Sequence, residues 1–258
     1  MEKAYLITEN SDFNKLILEK DLYDRFYFWD AYCEHNFMYF LNNKDFLNNL
    51  SKLDKPLTIT TPIISEKNLN NLKSFLDSFD FWKDFEIVVN DYWVLNFILN
   101  NYKNIKIIWW NFLSGQNKDP YLKIFKDKQV HKKITIDNDF YKNYLKNNNI
   151  DLVELYNVFQ WIEIDTNYNF SLYYPYVVYS INRYCPTKLV YDKKNYLTIV
   201  EECDWCFWKI PANFNMDLKM KTDNSKNFFR WNKQFYENLD IIEDIKIKRI
   251  IYNYDLLW

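Results

Sequence analysis

Residues 57–90 read LTITTPIISEKNLNNLKSFLDSFDFWKDFEIVVN, and a change of period inside them decides the fold. Residues 57–61 and 86–90 are short runs rich in β-branched side chains, the composition of strands. Between them Leu69, Leu72, Phe75, Leu76 and Phe79 recur at three- and four-residue spacing, which lines one side of a helix over residues 66–79. Ser65 stands where the cap of that helix belongs. Strand, helix and strand in this order form one βα repeat of a parallel sheet.

The same alternation extends in both directions. Strands are expected at residues 3–8, 25–29 and 106–110, and helices at 12–19, 36–50 and 92–102. Further along, 139–146 has a helical pattern, while 152–156, 161–165 and 173–180 read as strands. Residues 214–238 are polar and irregular, and 245–252 form a final strand. Five or more βα units in succession predict an α/β fold, a TIM-like (β/α) barrel. It forms one domain over residues 1–258, with an irregular, cysteine-bearing C-terminal segment. An open doubly wound sheet is the alternative, but its ligands often depend on a glycine-rich first turn, which is absent. A barrel does its chemistry at the C-terminal ends of its strands. Those ends carry Cys33, Thr60, Thr61, Asn90, Asp91, Asn111, Arg183 and Cys185.

Composition narrows the function. The chain has 258 residues, 48% hydrophobic and 21% aromatic, yet charged and amide side chains interrupt every apolar run before the roughly 20 residues of a membrane span. Thirty-three basic against 35 acidic side chains give a net charge of −2, so no global field favours a polyanion or an anionic membrane. A single glycine, Gly115, excludes the multi-glycine loops that cradle nucleotide phosphates. The first residues lack the apolar run and small-residue cleavage site of a secretory signal. A cytoplasmic location is therefore expected, where cysteines more often bind metal or do redox work than form disulfides.

There are four cysteines. Cys203 and Cys206 form a C-x-x-C pair in ECDWC, Cys185 precedes them in NRYCPT, and Cys33 ends a predicted strand. Four thiolates suit an iron–sulfur cluster, and zinc takes the same set tetrahedrally. Spacing alone leaves a plainer reading open, in which Cys33 is a small buried side chain and the other three are incidental.

The segments YFWDAYC (27–33), LTITTPIIS (57–65), EIVVNDYWVLNFIL (86–99), FLSGQNKDP (112–120), YPYVVYSINRYCPT (174–187) and ECDWC (202–206) resemble, in this order, the collagenase-like peptidase family of class U, number thirty-two. The likeness spans most of the chain and is nearest to the short, single-barrel members that serve oxygen-independent ubiquinone hydroxylation. The resemblance implies a four-iron, four-sulfur (4Fe-4S) cluster held by Cys33, Cys185, Cys203 and Cys206, with zinc as the alternative. It implies hydroxylation of a quinone precursor or an RNA base, with a prephenate-like oxygen donor. The chain departs from the family in three places. The closing cysteine pair has two intervening residues where the family commonly has three, the N-D-x-G segment reads Asn90-Asp91-Tyr92-Trp93, and the G-R-x-L segment reads Trp110-Asn111-Phe112-Leu113. These changes favour a second reading, a non-catalytic, metal-stabilised partner of a paralogous active subunit. Peptidase activity, the historical family label, is a third.

Other groups complete the candidate site. Asn90 and Asp91 stand at a strand end, where they can bind substrate, although Asp91 is also well placed to cap the following helix. Arg183 is the only arginine between Arg25 and Arg230, and its rigid fork suits a carboxylate or phosphate; a salt bridge to an acid of the chain is the competing reading. Asn90, Asp91 and Arg183 are therefore the catalytic candidates. His35 can serve as a ligand or an ordinary surface side chain, and His131 is expected in a solvated loop. Tyr174, Tyr176 and Val178 are expected on one strand face, with rings turned toward the barrel interior.

Overall fold

A computed structural model describes residues 1–8, 11–29, 33–78, 84–111, 113–125, 129–164, 168–181, 227–230, 233–241 and 245–256. Eight parallel strands close into a barrel: β1 (Glu2–Ile7), β2 (Arg25–Trp29), β3 (Leu57–Thr60), β4 (Glu86–Val89), β5 (Lys106–Trp109), β6 (Leu152–Tyr156), β7 (Asn169–Tyr174) and β11 (Ile247–Tyr252), the last closing against β1. The expected barrel is thus present, and seven of its strands follow in chain order before β11 completes it.

Helices α1 (Phe13–Glu19), α2 (Glu34–Asn42), α3 (Lys44–Lys52), α4 (Glu66–Ser78), α5 (Tyr92–Asn101), α6 (Gln129–Lys132) and α7 (Asp139–Asn147) connect the strands. Outward-facing aromatics glue them to the barrel. The Phe28 ring lies 5.9 Å from Phe37, 5.7 Å from Phe40 and 4.8 Å from Phe46. Trp109 meets Tyr92, Tyr141 and Tyr144 at about 6 Å, edge-on arrangements that suit aromatic quadrupoles. Of the described residues, no helix is long and apolar enough to cross a membrane.

Four local expectations need correction. The helix expected over 36–50 is two helices, because Asn43 leaves helical geometry and its side chain accepts from Phe46 N–H at 3.1 Å; the short amide makes a better N-cap than interior residue. The strand expected over 173–180 is β7 followed by β8 (Tyr176–Ile181), divided at a cis Tyr174–Pro175 bond. Within β7 the register against β6 turns Tyr173 and not Tyr174 to the barrel interior, opposite Tyr156. Of the strand expected over 161–165, the described residues 161–164 form no ladder: Trp161 has a positive φ of 62° and Glu163 makes one isolated bridge to Lys133. Within 214–238, β9 (Asn227–Arg230) and β10 (Lys233–Glu237) pair antiparallel.

The sheet β8-β10-β9 is tied to the C-terminal ends of the barrel strands. Asn253, just past β11, accepts from Tyr176 N–H at 3.1 Å and donates to its carbonyl at 2.9 Å. Asn157, just past β6, donates to the carbonyls of Asn238 and Asp240, and Asn238 donates back to the Asn157 carbonyl at 2.8 Å.

Candidate functional site

Parallel register puts Glu2, Arg25, Thr58, Glu86, Lys106 and Arg249 on the inner face near the N-terminal rim. Arg249 donates to Glu2 at 2.6 Å and to Glu86 at 2.7 Å, Arg25 donates to Glu2 at 2.8 Å, and Lys106 to Glu86 at 2.8 Å. Burial pushes the Glu86 carboxyl up, but Arg249 and Arg25 outweigh it and hold the group down at about 2. These are charges that satisfy one another at the barrel end that in such folds serves stability.

One rung higher the interior changes character. Glu154 interrupts the otherwise apolar strand LVELY and is fully buried. Its Oε2 accepts from the Tyr173 hydroxyl at 2.7 Å. Burial raises its carboxyl to about 8, against the Tyr173 hydrogen bond and the Arg249 charge. At neutral pH it therefore holds a proton. The Tyr27 hydroxyl accepts from Arg249, and the Tyr27 and Tyr156 rings stand 6.5 Å and 5.1 Å from Tyr173.

Above this column, at the C-terminal mouth, the loop after β5 folds over the end of β6. Gly115 turns it with φ +69°, and a Cβ there would meet Thr135 Oγ1 at 1.9 Å; the lone glycine stands where no other residue fits. Ser114 Oγ donates to the Asn111 carbonyl at 2.6 Å. Gln116 bonds both backbone groups of Tyr156, and Gln160 Nε2 donates to the Asn117 carbonyl. Lys118, the next residue, is turned inward: it is 9% exposed, its Nζ lies 3.4 Å from Asn111 Oδ1 and 5.2 Å from the centre of the Tyr156 ring. Burial lowers the Lys118 ammonium to about 7.

The residues singled out from sequence are distributed around the same mouth. Asn90 is buried directly after β4. Asp91 caps α5, Oδ1 accepting from Val94 N–H at 2.8 Å and Oδ2 from Ile64 N–H at 3.3 Å, with its carboxyl raised by burial. Cys33 is half-buried at the N-terminus of α2, shortly after β2. Arg183, Cys185, Cys203 and Cys206 lie outside the described residues. Among those described, no three His, Cys, Asp or Glu side chains converge to hold a metal. His35 lines a surface depression of about 600 Å³ with Met38, Tyr39 and Asn68. His131 is held by Asn117 at 2.9 Å through Nδ1. Ser65 Oγ donates to the Glu34 carboxylate, linking α2 to the start of α4.

Lys118, Gln116, Glu154 and Arg249 were not singled out by sequence patterns, and Asn111 was noted only as a polar group at a strand end. Two signals pointed to them: the position of the only glycine, and one acid within an apolar strand. No protein-family model, characterised protein or solved structure matches this chain.

Proposed function

We propose that this protein is an iron–sulfur barrel protein that works at the C-terminal mouth, in oxygen-independent hydroxylation of a quinone precursor or an RNA base. The observation that carries the reading is the place of Cys33. It stands half-buried at the head of the nine-residue helix α2, on the rim where barrel enzymes bind and react. A helix N-terminus favours the thiolate form, the form that ligates metal. The other ligands of the proposal, Cys185, Cys203 and Cys206, belong to the chain between β8 and β9, and β8 is itself fastened to that mouth through Asn253. Cys33 fits such a ligand set.

When bound, a four-iron, four-sulfur cluster supplies one-electron transfer. The remaining work falls to the chain. The buried rings of Tyr156 and Tyr173, 5.1 Å apart, give the inner end of the mouth an aromatic lining. Glu154 retains a proton at neutral pH, and Asn90 and Asn111 present amides beside the strand ends. In this reading Arg183 binds a carboxylate of a prephenate-like donor.

Anaerobic purification followed by iron and acid-labile sulfide analysis tests the reading. The expected protein is brown, with charge-transfer absorbance at about 400 nm that disappears in Cys33→Ala. A colourless, zinc-loaded protein rejects it. Copurification of a paralogous subunit in equal amount, with no turnover by this chain alone, would favour the non-catalytic partner reading instead.

A further inference from the structure

Asn111 is fully buried, its Oδ1 faces the Lys118 ammonium, and its Nδ2 has no hydrogen-bond partner. Leaving a buried donor unpaired is destabilising, because it has given up its water without gaining a protein acceptor. Such a cost is retained where a bound group repays it. The Lys118–Asn111 contact is itself long at 3.4 Å, at the weak end of hydrogen-bond geometry, so the two side chains are not locked to each other.

The loop that carries both side chains is set firmly. Gly115 permits its turn against Thr135, Gln116 anchors it to β6, and Gln160 holds the Asn117 carbonyl. Asp119 N–H bonds Asn117 Oδ1 at 3.1 Å, and Asp119 Oδ1 accepts from Tyr121 N–H at 2.8 Å, so both neighbours of Lys118 are fixed. Pre-organised donors of this kind bind without paying for their own ordering.

We propose that Lys118 and Asn111 form a carboxylate-binding subsite at the C-terminal mouth, taking a small molecule whose carboxylate accepts from Lys118 Nζ and Asn111 Nδ2. One ammonium and one amide donor match the two oxygens and single charge of a carboxylate. A phosphate, with more charge and more acceptor oxygens, would call for further donors. The Tyr156 ring beside Lys118 supplies an apolar wall for an unsaturated or aromatic body attached to that carboxylate. Desolvation already weakens the proton's hold on Lys118, and a bound anion strengthens it. The subsite does not depend on a cluster.

The test uses the full-length protein with lysine side chains labelled at Cε with carbon-13, titrated by NMR with phenylpyruvate, benzoate and inorganic phosphate as probes. The Lys118 resonance is expected to titrate near neutrality in the free protein. Saturating phenylpyruvate or benzoate should raise its midpoint by about one pH unit. Lys118→Met should weaken binding of both carboxylates about tenfold or more. Asn111→Asp, which places a permanent carboxylate beside the amine, should also abolish binding and raise the Lys118 midpoint without any ligand. Cys33→Ala should leave carboxylate binding intact, which separates this result from the fate of the cluster proposal. A Lys118 resonance that no carboxylate moves, undiminished binding in Lys118→Met, or tighter binding of phosphate than of either carboxylate would overturn the assignment.

Discussion

Gln116 replaces a strand for Tyr156: its Nε2 donates to the Tyr156 carbonyl at 2.7 Å and its Oε1 accepts from the Tyr156 N–H at 2.8 Å. The β5–β6 seam is registered through Trp109 and Val153, and beyond the end of β5 this amide continues the ladder. The side chain thereby closes the barrel at its mouth and fixes the loop that turns Lys118 inward. Gln116→Met should strand two buried backbone groups and cost roughly 2–6 kcal/mol, at about 1–3 kcal/mol for each. Gln116→Glu retains the acceptor and should fall between that variant and the native chain in urea unfolding.

Gly115→Ala should destabilise the protein through two separable causes. The residue has φ +69°, and the added Cβ would lie 1.9 Å from Thr135 Oγ1 and 2.5 Å from Thr135 Cβ. Overpacking of this kind costs about 1–3 kcal/mol, with a further penalty for the left-handed backbone. Thr135→Gly should recover the steric part only. Thr135→Ala should recover less, because its Cβ remains. Thermal unfolding of the three variants checks the order.

Glu154 gives stability a distinctive pH dependence. The folded protein holds its proton to about 8, whereas the unfolded chain releases it near 4.5. Between those values the native state binds more protons, so raising pH through this window destabilises the fold with a slope of up to about 1.4 kcal/mol per pH unit. Glu154→Gln should remove that slope while keeping the Tyr173 hydroxyl partnered. Urea midpoints measured across the window would show a flat profile in the variant if this group is responsible.

Lys118 works in the opposite direction. Its folded value is lowered from 10.5 to about 7, so the penalty for burying the charge is complete below pH 7. It fades as pH rises toward the unfolded value, where both states are neutral. Lys118→Met should therefore be more stable than the native chain at neutral pH, with the difference closing in strongly alkaline solution. A stabilising substitution that also loses carboxylate binding is the pattern expected of a residue kept for function at the expense of the fold.

The barrel itself was legible from period and composition. Residues 57–90 contain a complete βα repeat, and the strands at 25–29 and 152–156 lie where β-branched and aromatic runs placed them. Asp91 is a cap in the structure as its position before Val94 implied. Local errors came from residues with two local uses. Asn43 ends one helix by capping the next, and Pro175 divides one apparent strand between two sheets.

The sequence by itself determined which residues form strands and helices, because side-chain periodicity and capping act over a few neighbouring positions. Only the tertiary structure decided that Glu154 meets Tyr173, that Arg249 reaches Glu2 and Glu86, and that Lys118 turns toward Asn111 and Tyr156. Those relationships arise from barrel closure, which brings distant strands to one axis and removes water from charged groups. The energy of a buried charge depends on everything that surrounds it, and no local pattern in the chain records that environment.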